Sequence, residues 1–176
     1  MFRRSATMIA ALLAACAMVL GACTAADDPA YVEDEVGKIK VVRPSAWQSP
    51  LQVEAPWTVG YALAPDSVEQ IQVSGDFGEY TSAAEAMASL IAQAQVSLEG
   101  FEIVETRDVE LKGATTGQLV RYTIDDPQGN QVFGTWIIGA VWPYPQSVAV
   151  SILTPRHDAE LERRVLDSIV VSPTRE

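Results

Sequence analysis

Few residues of this chain belong to the types that perform catalysis or bind metal ions. The 176-residue sequence contains one histidine, His157, and two cysteines, Cys16 and Cys23. No serine stands in a Gly-x-Ser-x-Gly or Ser-x-x-Lys motif, so the sequence offers no nucleophile for His157 to activate. A His-Glu-x-x-His zinc motif is also missing. The residue types therefore predict a protein that is not an enzyme and that uses no metal or other cofactor.

The remaining polar candidates fit structural roles. His157 follows Pro155 in the first turn of a predicted helix, where we expect a solvated surface side chain. Asp125 and Asp126 begin the segment Asp-Asp-Pro-Gln-Gly-Asn, and these residue types are the ones that tight turns favour. We therefore interpret this carboxylate pair as part of a turn rather than as a cation site.

Cys23 carries the one chemical modification that the sequence predicts. It follows Leu20-Gly21-Ala22, and Arg3-Arg4 and an apolar run over residues 6–19 precede it. That order is typical of a secretory signal, and the run is shorter than the about 20 apolar residues that span a bilayer. The motif resembles a bacterial lipobox. The resemblance implies a signal peptide over residues 1–22, acylation (palmitate or a similar chain) at Cys23, and an exported lipoprotein on the outer face of the cytoplasmic membrane.

A second cysteine fits the same motif. Leu13-Ala14-Ala15-Cys16 matches the pattern as well, so the motif alone leaves both sites open. Processing at Cys16 would leave the apolar residues 17–20 in the mature chain, whereas polar and acidic sequence soon follows Cys23. This boundary favours Cys23. Because two acyl chains anchor a protein stably, the domain needs no membrane-binding surface of its own.

The part of the chain after residue 22 is acidic and of single-domain size. Its 154 residues suffice for one hydrophobic core. They include ten lysines and arginines against 23 acidic residues, a formal net charge of −13. Such a surface repels nucleic acid and anionic lipid headgroups. Cys23 is the only cysteine left after processing, so the sequence predicts a domain without disulfides.

Hydrophobic patterning divides this part into three segments. Residues 23–37 are acidic with few large apolar side chains, which indicates a flexible tether, and residues 173–176 are a short tail. Residues 38–172 alternate apolar and polar positions in many segments, as antiparallel strands do. The run from Val132 to Trp142 is apolar on both faces, so it predicts a strand buried on both sides. One face carries Trp136, Ile138 and Trp142, and the other carries Phe133, Ile137 and Val141.

Two helices interrupt the strands. Ser82 followed by Glu85 is a capping box, apolar residues then recur at helical spacing, and Gly100 suits a C-terminal cap. We therefore predict a helix over residues 82–99. Thr154-Pro155 predicts the start of a final helix that turns Leu161, Val165 and Ile169 inward.

This order of elements resembles the PsbP-like α/β/α sandwich over about residues 38–172. The resemblance rests on the strand ending in Pro44-Ser45-Ala46-Trp47, the helix over 82–99, the hairpins through 119–153 and the closing segment 161–170. Lipoproteins of the LpqN and LpqT type and the DcrB group are similar. The resemblance implies an α+β fold, an antiparallel sheet covered by helices on both faces. Families of this fold share no chemistry, so the fold implies no single function; what they have in common, and what the resemblance implies here, is a non-catalytic binding or assembly role.

The aromatic residues supply the candidate binding surfaces. Trp142-Pro143-Tyr144-Pro145 must leave the sheet, since proline cannot donate to a strand ladder, and we predict a contact surface at Trp142 and Tyr144. The alternative is that Trp142 points inward and only Tyr144 is exposed. The leading hypothesis is a lipid-anchored binding or scaffold protein for another envelope protein. The second is a carrier that holds a lipid or glycolipid in an apolar cavity between sheet and helix. Six aromatic residues are candidates to line it, Trp57, Tyr61, Tyr122, Trp136, Trp142 and Tyr144, and the alternative is that they fill the core beneath the helices.

The anchor hypothesis makes a prediction about the two cysteines. Cys23→Ala should release the protein from membranes or leave its signal uncleaved, because it removes the thiol that is acylated. Cys16→Ala should change neither. Cell fractionation and the mass of the mature N-terminus measure both variants, and membrane attachment that survives Cys23→Ala with normal cleavage would contradict the assignment.

Overall fold

The computed structural model describes residues 30–174. The predicted signal peptide, Cys16, Cys23, the first half of the predicted tether and residues 175–176 lie outside the described residues. The strands are β1 (Tyr31–Val36), β2 (Ile39–Pro44), β3 (Gln48–Leu51), β4 (Val59–Ala62), β5 (Gln70–Gly78), β6 (Glu102–Asp108), β7 (Thr116–Asp125), β8 (Gln131–Val141), β9 (Gln146–Thr154) and β10 (Val170–Val171), and the helices are α1 (Ala83–Ser97) and α2 (Ala159–Ser168).

The strands form two sheets in which all paired neighbours are antiparallel. The large sheet has the order β3-β4-β5-β9-β8-β7-β6, and the small sheet has the order β1-β2-β10. This arrangement confirms the predicted α+β class with antiparallel pairing. The predicted two-sided strand is also confirmed: Trp136 and Ile138 of β8 belong to one buried cluster, and Ile137 between them belongs to the other.

α1 covers one face of the large sheet. Ala86, Met87 and Leu90 are buried in one cluster with Val120 of β7 and Ile138 of β8. The Ser82 side chain accepts a hydrogen bond from the Glu85 backbone N–H at 3.2 Å, as the capping motif predicts. The helix ends at Ser97, two residues before the predicted end, with Leu98 as its C-cap.

The opposite face is covered by the small sheet together with α2. Ile39 of β2 and Leu161 and Val165 of α2 are buried with Ile137 and Val150 of the large sheet. The sequence predicted a helix on each face, whereas here a sheet and a helix share the second face. α2 also begins later than predicted, because Thr154 is still the last residue of β9 and the Asp158 side chain caps the helix at Leu161 N.

The predicted tether is wrong over Tyr31–Val36, which form β1. Two of the three acidic residues there have cationic partners on β2: Asp34 pairs with Arg43, and Glu35 lies 3.2 Å from Lys40 Nζ. Acidic side chains that face cations on a neighbouring strand stabilise the pairing instead of solvating the segment. The acidic residues of this segment therefore do not indicate a flexible chain, contrary to the expectation from the sequence.

Gly75 allows the small sheet to lie against the large one. A Cβ atom at this position would lie 1.9 Å from the carbonyl oxygen of Val36. The Lys38 N–H donates to the Gly75 carbonyl at 3.2 Å across the same contact. The turn between β1 and β2 therefore packs backbone against backbone on β5, which no residue with a side chain would permit.

A buried carboxylate ties α2 to the large sheet. Glu162 is 4% exposed, and its oxygens accept bonds from Arg121 Nε at 2.8 Å, Arg121 Nη2 at 2.6 Å and Thr135 Oγ1 at 2.9 Å. His157 Nε2 lies 3.2 Å away. Burial acts to raise the pKa of Glu162, but the hydrogen bonds from Arg121, Thr135 and His157 outweigh it and hold the pKa at about 2.

The bidentate pair predicts a large effect on stability. Glu162→Gln keeps the shape but leaves the Arg121 guanidinium without its main partner, and we expect a loss of about 3 kcal/mol in the free energy of unfolding. Because folding lowers the pKa of Glu162 from 4.5 to about 2, the stabilisation is complete above the higher value and is lost as the pH falls toward the lower one. Urea unfolding at a series of pH values measures both effects, and the wild type should lose more stability in acid than the variant.

Glu160→Gln is the matched control. Glu160 lies on the same helix and bonds Arg163 and Arg164, but it is exposed. Exposed pairs contribute about 0–1 kcal/mol, so this change should be small. Equal losses for the two variants would show that burial does not set the strength of the Glu162 pair.

Candidate functional site

The four residues that join β8 to β9, residues 142–145, form an aromatic hairpin tip. Trp142 is 55% exposed and Tyr144 is 52% exposed. The predicted exposure of both side chains is therefore confirmed, and the alternative of an inward Trp142 is wrong. The contact role of the hairpin tip remains a prediction.

The base of the hairpin tip is held by hydrogen bonds. The Trp142 backbone N–H donates to Thr115 Oγ1 at 3.1 Å, and the Thr115 N–H donates to the Ala140 carbonyl at 2.8 Å. On the other strand, Gln146 Nε2 donates to the Thr174 carbonyl at 2.7 Å and its Oε1 accepts from the Thr174 N–H at 3.1 Å. A fixed backbone presents the aromatic side chains without a large ordering cost on binding.

Acidic side chains surround the hairpin tip. Glu79 follows Gly78, whose carbonyl accepts a bond from Ser147 Oγ at 2.8 Å at the start of β9. Glu85 lies in the first turn of α1, which is fixed beside β7 by the bond from Ala83 N to Thr116 Oγ1 at 2.9 Å. Both carboxylates are exposed. The hairpin tip is therefore an apolar feature on an acidic end of the molecule.

A cavity of about 300 Å³ lies on the α1 face of the large sheet. It opens between the C-terminal half of α1, the segment 54–57 and strands β5, β9, β8 and β7. Its apolar walls come largely from Trp57, Leu90, Leu98, Tyr122, Ile124, Trp136 and Leu153, and its polar side chains include Glu54, Gln72, Gln93, Ser97 and Ser151. Aromatic walls with a few polar groups are typical of small-molecule sites, and 300 Å³ is the lower end of their range.

Stacked aromatic rings form the floor of this cavity. The ring centroids of Tyr122 and Trp136 are 4.0 Å apart, and Phe101 stacks on Trp136 at 5.7 Å. Gly134 makes room for them, because a Cβ atom there would lie 2.1 Å from the Tyr122 ring. Burial raises the pKa of Tyr122 despite hydrogen bonds with Ser151 and Trp136. The floor therefore stays neutral and presents hydroxyl groups among aromatic faces.

Sequence reasoning found only part of this cavity. Of the six aromatic candidates, Trp57, Tyr122 and Trp136 line the cavity. The prediction was wrong for Tyr61, which is buried in the cluster on the opposite face of the large sheet, and for Trp142 and Tyr144, which lie at the hairpin tip.

Gln72 and Ser151 were missed. Both are polar residues within strands that are mainly apolar. A polar residue at such a position was the feature of the sequence that could have indicated the polar groups of the cavity. They face the same side as Trp136, because Ser151 pairs with Trp136 on one side and with Gln72 on the other.

The remaining sequence candidates have structural partners. Asp126 Oδ1 accepts bonds from the backbone N–H groups of Gln128 at 2.9 Å and Asn130 at 2.8 Å, so the predicted turn is confirmed. Hydrogen bonds from Asn130 lower the pKa of Asp126. His157 precedes α2 rather than lying in its first turn, and it contacts Glu162.

Residues 30–174 contain neither a cluster of metal-ligating side chains nor a membrane-spanning helix. No group of three or more His, Cys, Asp or Glu side chains there is placed to hold a metal ion. Nor does that part include a helix with the length and hydropathy needed to cross a bilayer.

No family model and no curated protein sequence matches this chain. Its structure is similar to the solution structure of cyanobacterial PsbP (CyanoP) from Synechocystis sp. PCC 6803, with a TM-score of 0.56. The similarity covers 86% of this chain and 98% of that chain. Since the two sequences are only 12% identical, the similarity establishes the fold and no activity. The domain has a PsbP-like fold, as the order of elements in its sequence predicted.

Proposed function

We propose that this chain is a lipid-anchored, non-enzymatic binding or scaffold module of the bacterial envelope, similar to lipoproteins of the LpqN, LpqT and DcrB type. The Cys23 lipid holds it on the outer face of the cytoplasmic membrane. The hairpin tip contacts another envelope protein. Its only membrane contact is the anchor, and nucleic acid is not a partner.

The exposure of Trp142 and Tyr144 is the observation that carries this proposal. Large aromatic side chains are enriched among the residues that dominate protein interfaces, because each buries much apolar area with few rotatable bonds. Here two of them are half exposed on a hairpin whose base is hydrogen-bonded. The acidic residues around them favour a partner with basic side chains near its apolar pocket.

The cavity under α1 favours a second candidate function, a carrier for a small lipid or glycolipid. Its aromatic floor suits an apolar chain or the face of a sugar ring, and Gln72, Ser151 and Gln93 suit hydroxyl groups. Its volume of about 300 Å³ is small for this role. The partner-binding function is therefore the better supported of the two.

The hairpin tip makes a prediction about stability. Tyr144→Ala should change the free energy of unfolding by less than about 0.5 kcal/mol, because the side chain is half exposed and packs little. Trp136→Ala, in the buried aromatic floor, should cost about 3–5 kcal/mol. Thermal and urea unfolding measure both. A loss of about 2 kcal/mol or more for Tyr144→Ala would place Tyr144 in the core and end its assignment as a contact residue.

A second prediction concerns partner capture. Immunoprecipitation from detergent-solubilised membranes, followed by mass spectrometry of both proteins and lipids, should recover an envelope protein with the wild type. The double variant Trp142→Ala, Tyr144→Ala should lose it, because the apolar contact area is gone. Val96→Ala should retain it, since Val96 is 90% exposed but lies near the other end of α1.

The same experiment separates the two functions. A carrier would be recovered with a bound lipid that is kept by the double variant and lost when Ser97→Trp fills the mouth of the cavity. Recovery of that lipid without a protein that depends on the hairpin tip would favour the carrier function over the binding module.

A further inference from the structure

The two ends of the domain can be assigned from the strand register. Ser147 at one end of β9 pairs with Gly78, and at the other end Ile152 pairs with Ile71. The hairpin tip immediately precedes β9, so it extends beyond the Ser147 end. The segment that follows α2 also lies at the Ser147 end of β9. Val171 N donates to the Lys112 carbonyl at 2.7 Å, and Thr174 contacts Gln146.

Ala30, where the described chain begins, lies at the opposite end. Tyr31 pairs with Pro44 at the far end of the β1–β2 hairpin, and the neighbouring Arg43 guanidinium lies 4.2 Å from the centre of the Tyr61 ring. Tyr61 pairs with Ile71, which pairs with Ile152. Ile152 lies six residue steps beyond Gln146 along β9, so the two ends are about 20 Å apart along the strands before the hairpin tip itself is added.

The chain between the proposed lipid and β1 is short. Only Cys23 to Pro29 precede Ala30, because the residues predicted as the second half of the tether form β1. Seven residues reach at most about 25 Å when fully extended, and a flexible chain of that length spans about 15 Å on average. With the strands upright on the membrane, contact between the hairpin tip and the bilayer would hold Ala30 about 20 Å above the lipid and demand a nearly straight segment.

We infer that the short anchor segment fixes the orientation of the domain relative to the membrane. The end that carries Ala30 faces the membrane, and the hairpin tip faces away from it. The inference rests on the anchor and the contact surface proposed above. It also identifies the kind of partner. The occupant of the hairpin tip is a protein domain that stands above the bilayer, with an apolar pocket bordered by lysine or arginine, and not the lipid surface.

The charges at the hairpin-tip end agree with this partner. The exposed carboxylates Glu79, Glu85 and Glu110 lie there together with the exposed cation Lys112, and Lys38 is paired with Asp76 at 3.0 Å. An acidic surround repels anionic headgroups and attracts a cationic protein surface. Trp142 and Tyr144 are therefore unsuited to insertion into an anionic bilayer even apart from the length of the tether.

Leu63 provides a matched position for the test. It is 53% exposed, close to the value for Tyr144, and it directly follows β4 at the Ala30 end, where Ala62 pairs with Gln70. Residues 23–176 contain a single thiol, Cys23, which can be coupled to a maleimide lipid in vesicles of phosphatidylcholine and phosphatidylglycerol. A fluorophore is clicked to p-azidophenylalanine in place of Leu63 or of Tyr144, with an acceptor dye on the lipid headgroups.

We expect stronger energy transfer to the membrane from position 63 than from position 144. A flexible spacer of about 20 residues inserted between Pro29 and Ala30 should reduce this difference, because it removes the limit on reach. Equal transfer from the two positions, or stronger transfer from 144, would overturn the inference and indicate a hairpin tip that contacts lipid. Because the lipid is attached chemically, this result is independent of acylation in the cell and of partner capture, which test the proposed function separately.

Discussion

The strand β8 is buried on both faces, and this constraint governs the architecture. A strand whose alternate side chains are all apolar must lie between two layers that exclude water. α1 supplies one layer, and the small sheet with α2 supplies the other. Each layer is held differently. α1 packs almost entirely through apolar side chains, whereas α2 adds the ion pair between Glu162 and Arg121.

That ion pair links α2 of the second layer directly to the large sheet. α2 contacts mainly β2 of the small sheet, so the bonds from Arg121 and Thr135 to Glu162 are its direct polar link to β7 and β8. A carboxylate at this depth is stabilised only because every oxygen is hydrogen-bonded. The result is a domain with a specific, polar attachment on one side of the sheet and an aromatic cavity on the other.

The sequence predicted the local elements well and the long-range arrangement less well. The two-sided strand, the capped helix α1 and the turn at Asp126 follow from patterns within a few residues, and all three are present. β1 was missed because its pairing with β2 places Asp34 beside Arg43 and Glu35 beside Lys40, and pairing between strands is not apparent from the composition of one segment. The start of α2 was placed too early because Thr154 pairs with Phe133 in the sheet.

The candidate site was likewise predicted where a local pattern sufficed and missed where the answer depended on which strands are neighbours. Exposure at Trp142 and Tyr144 follows from the two prolines, which cannot continue a strand, and this local argument succeeded. The polar groups of the cavity depend on which strands are neighbours in the sheet, and that order was not available from periodicity. Sequence-level reasoning about pockets therefore identified the aromatic residues and overlooked Gln72 and Ser151.

The two hydrogen bonds between Gln146 and Thr174 have a practical consequence for the placement of tags on this protein. Thr174 lies at the base of the hairpin tip, so any affinity tag or reporter domain fused to the carboxyl terminus would emerge beside Trp142 and Tyr144 and shield them sterically. Under the proposed function, a fusion of this kind would mimic a loss-of-binding variant while leaving the fold intact. The exposed turn at Gln128 and Gly129, at the other end of β8, is the position at which an inserted epitope leaves the aromatic surface open.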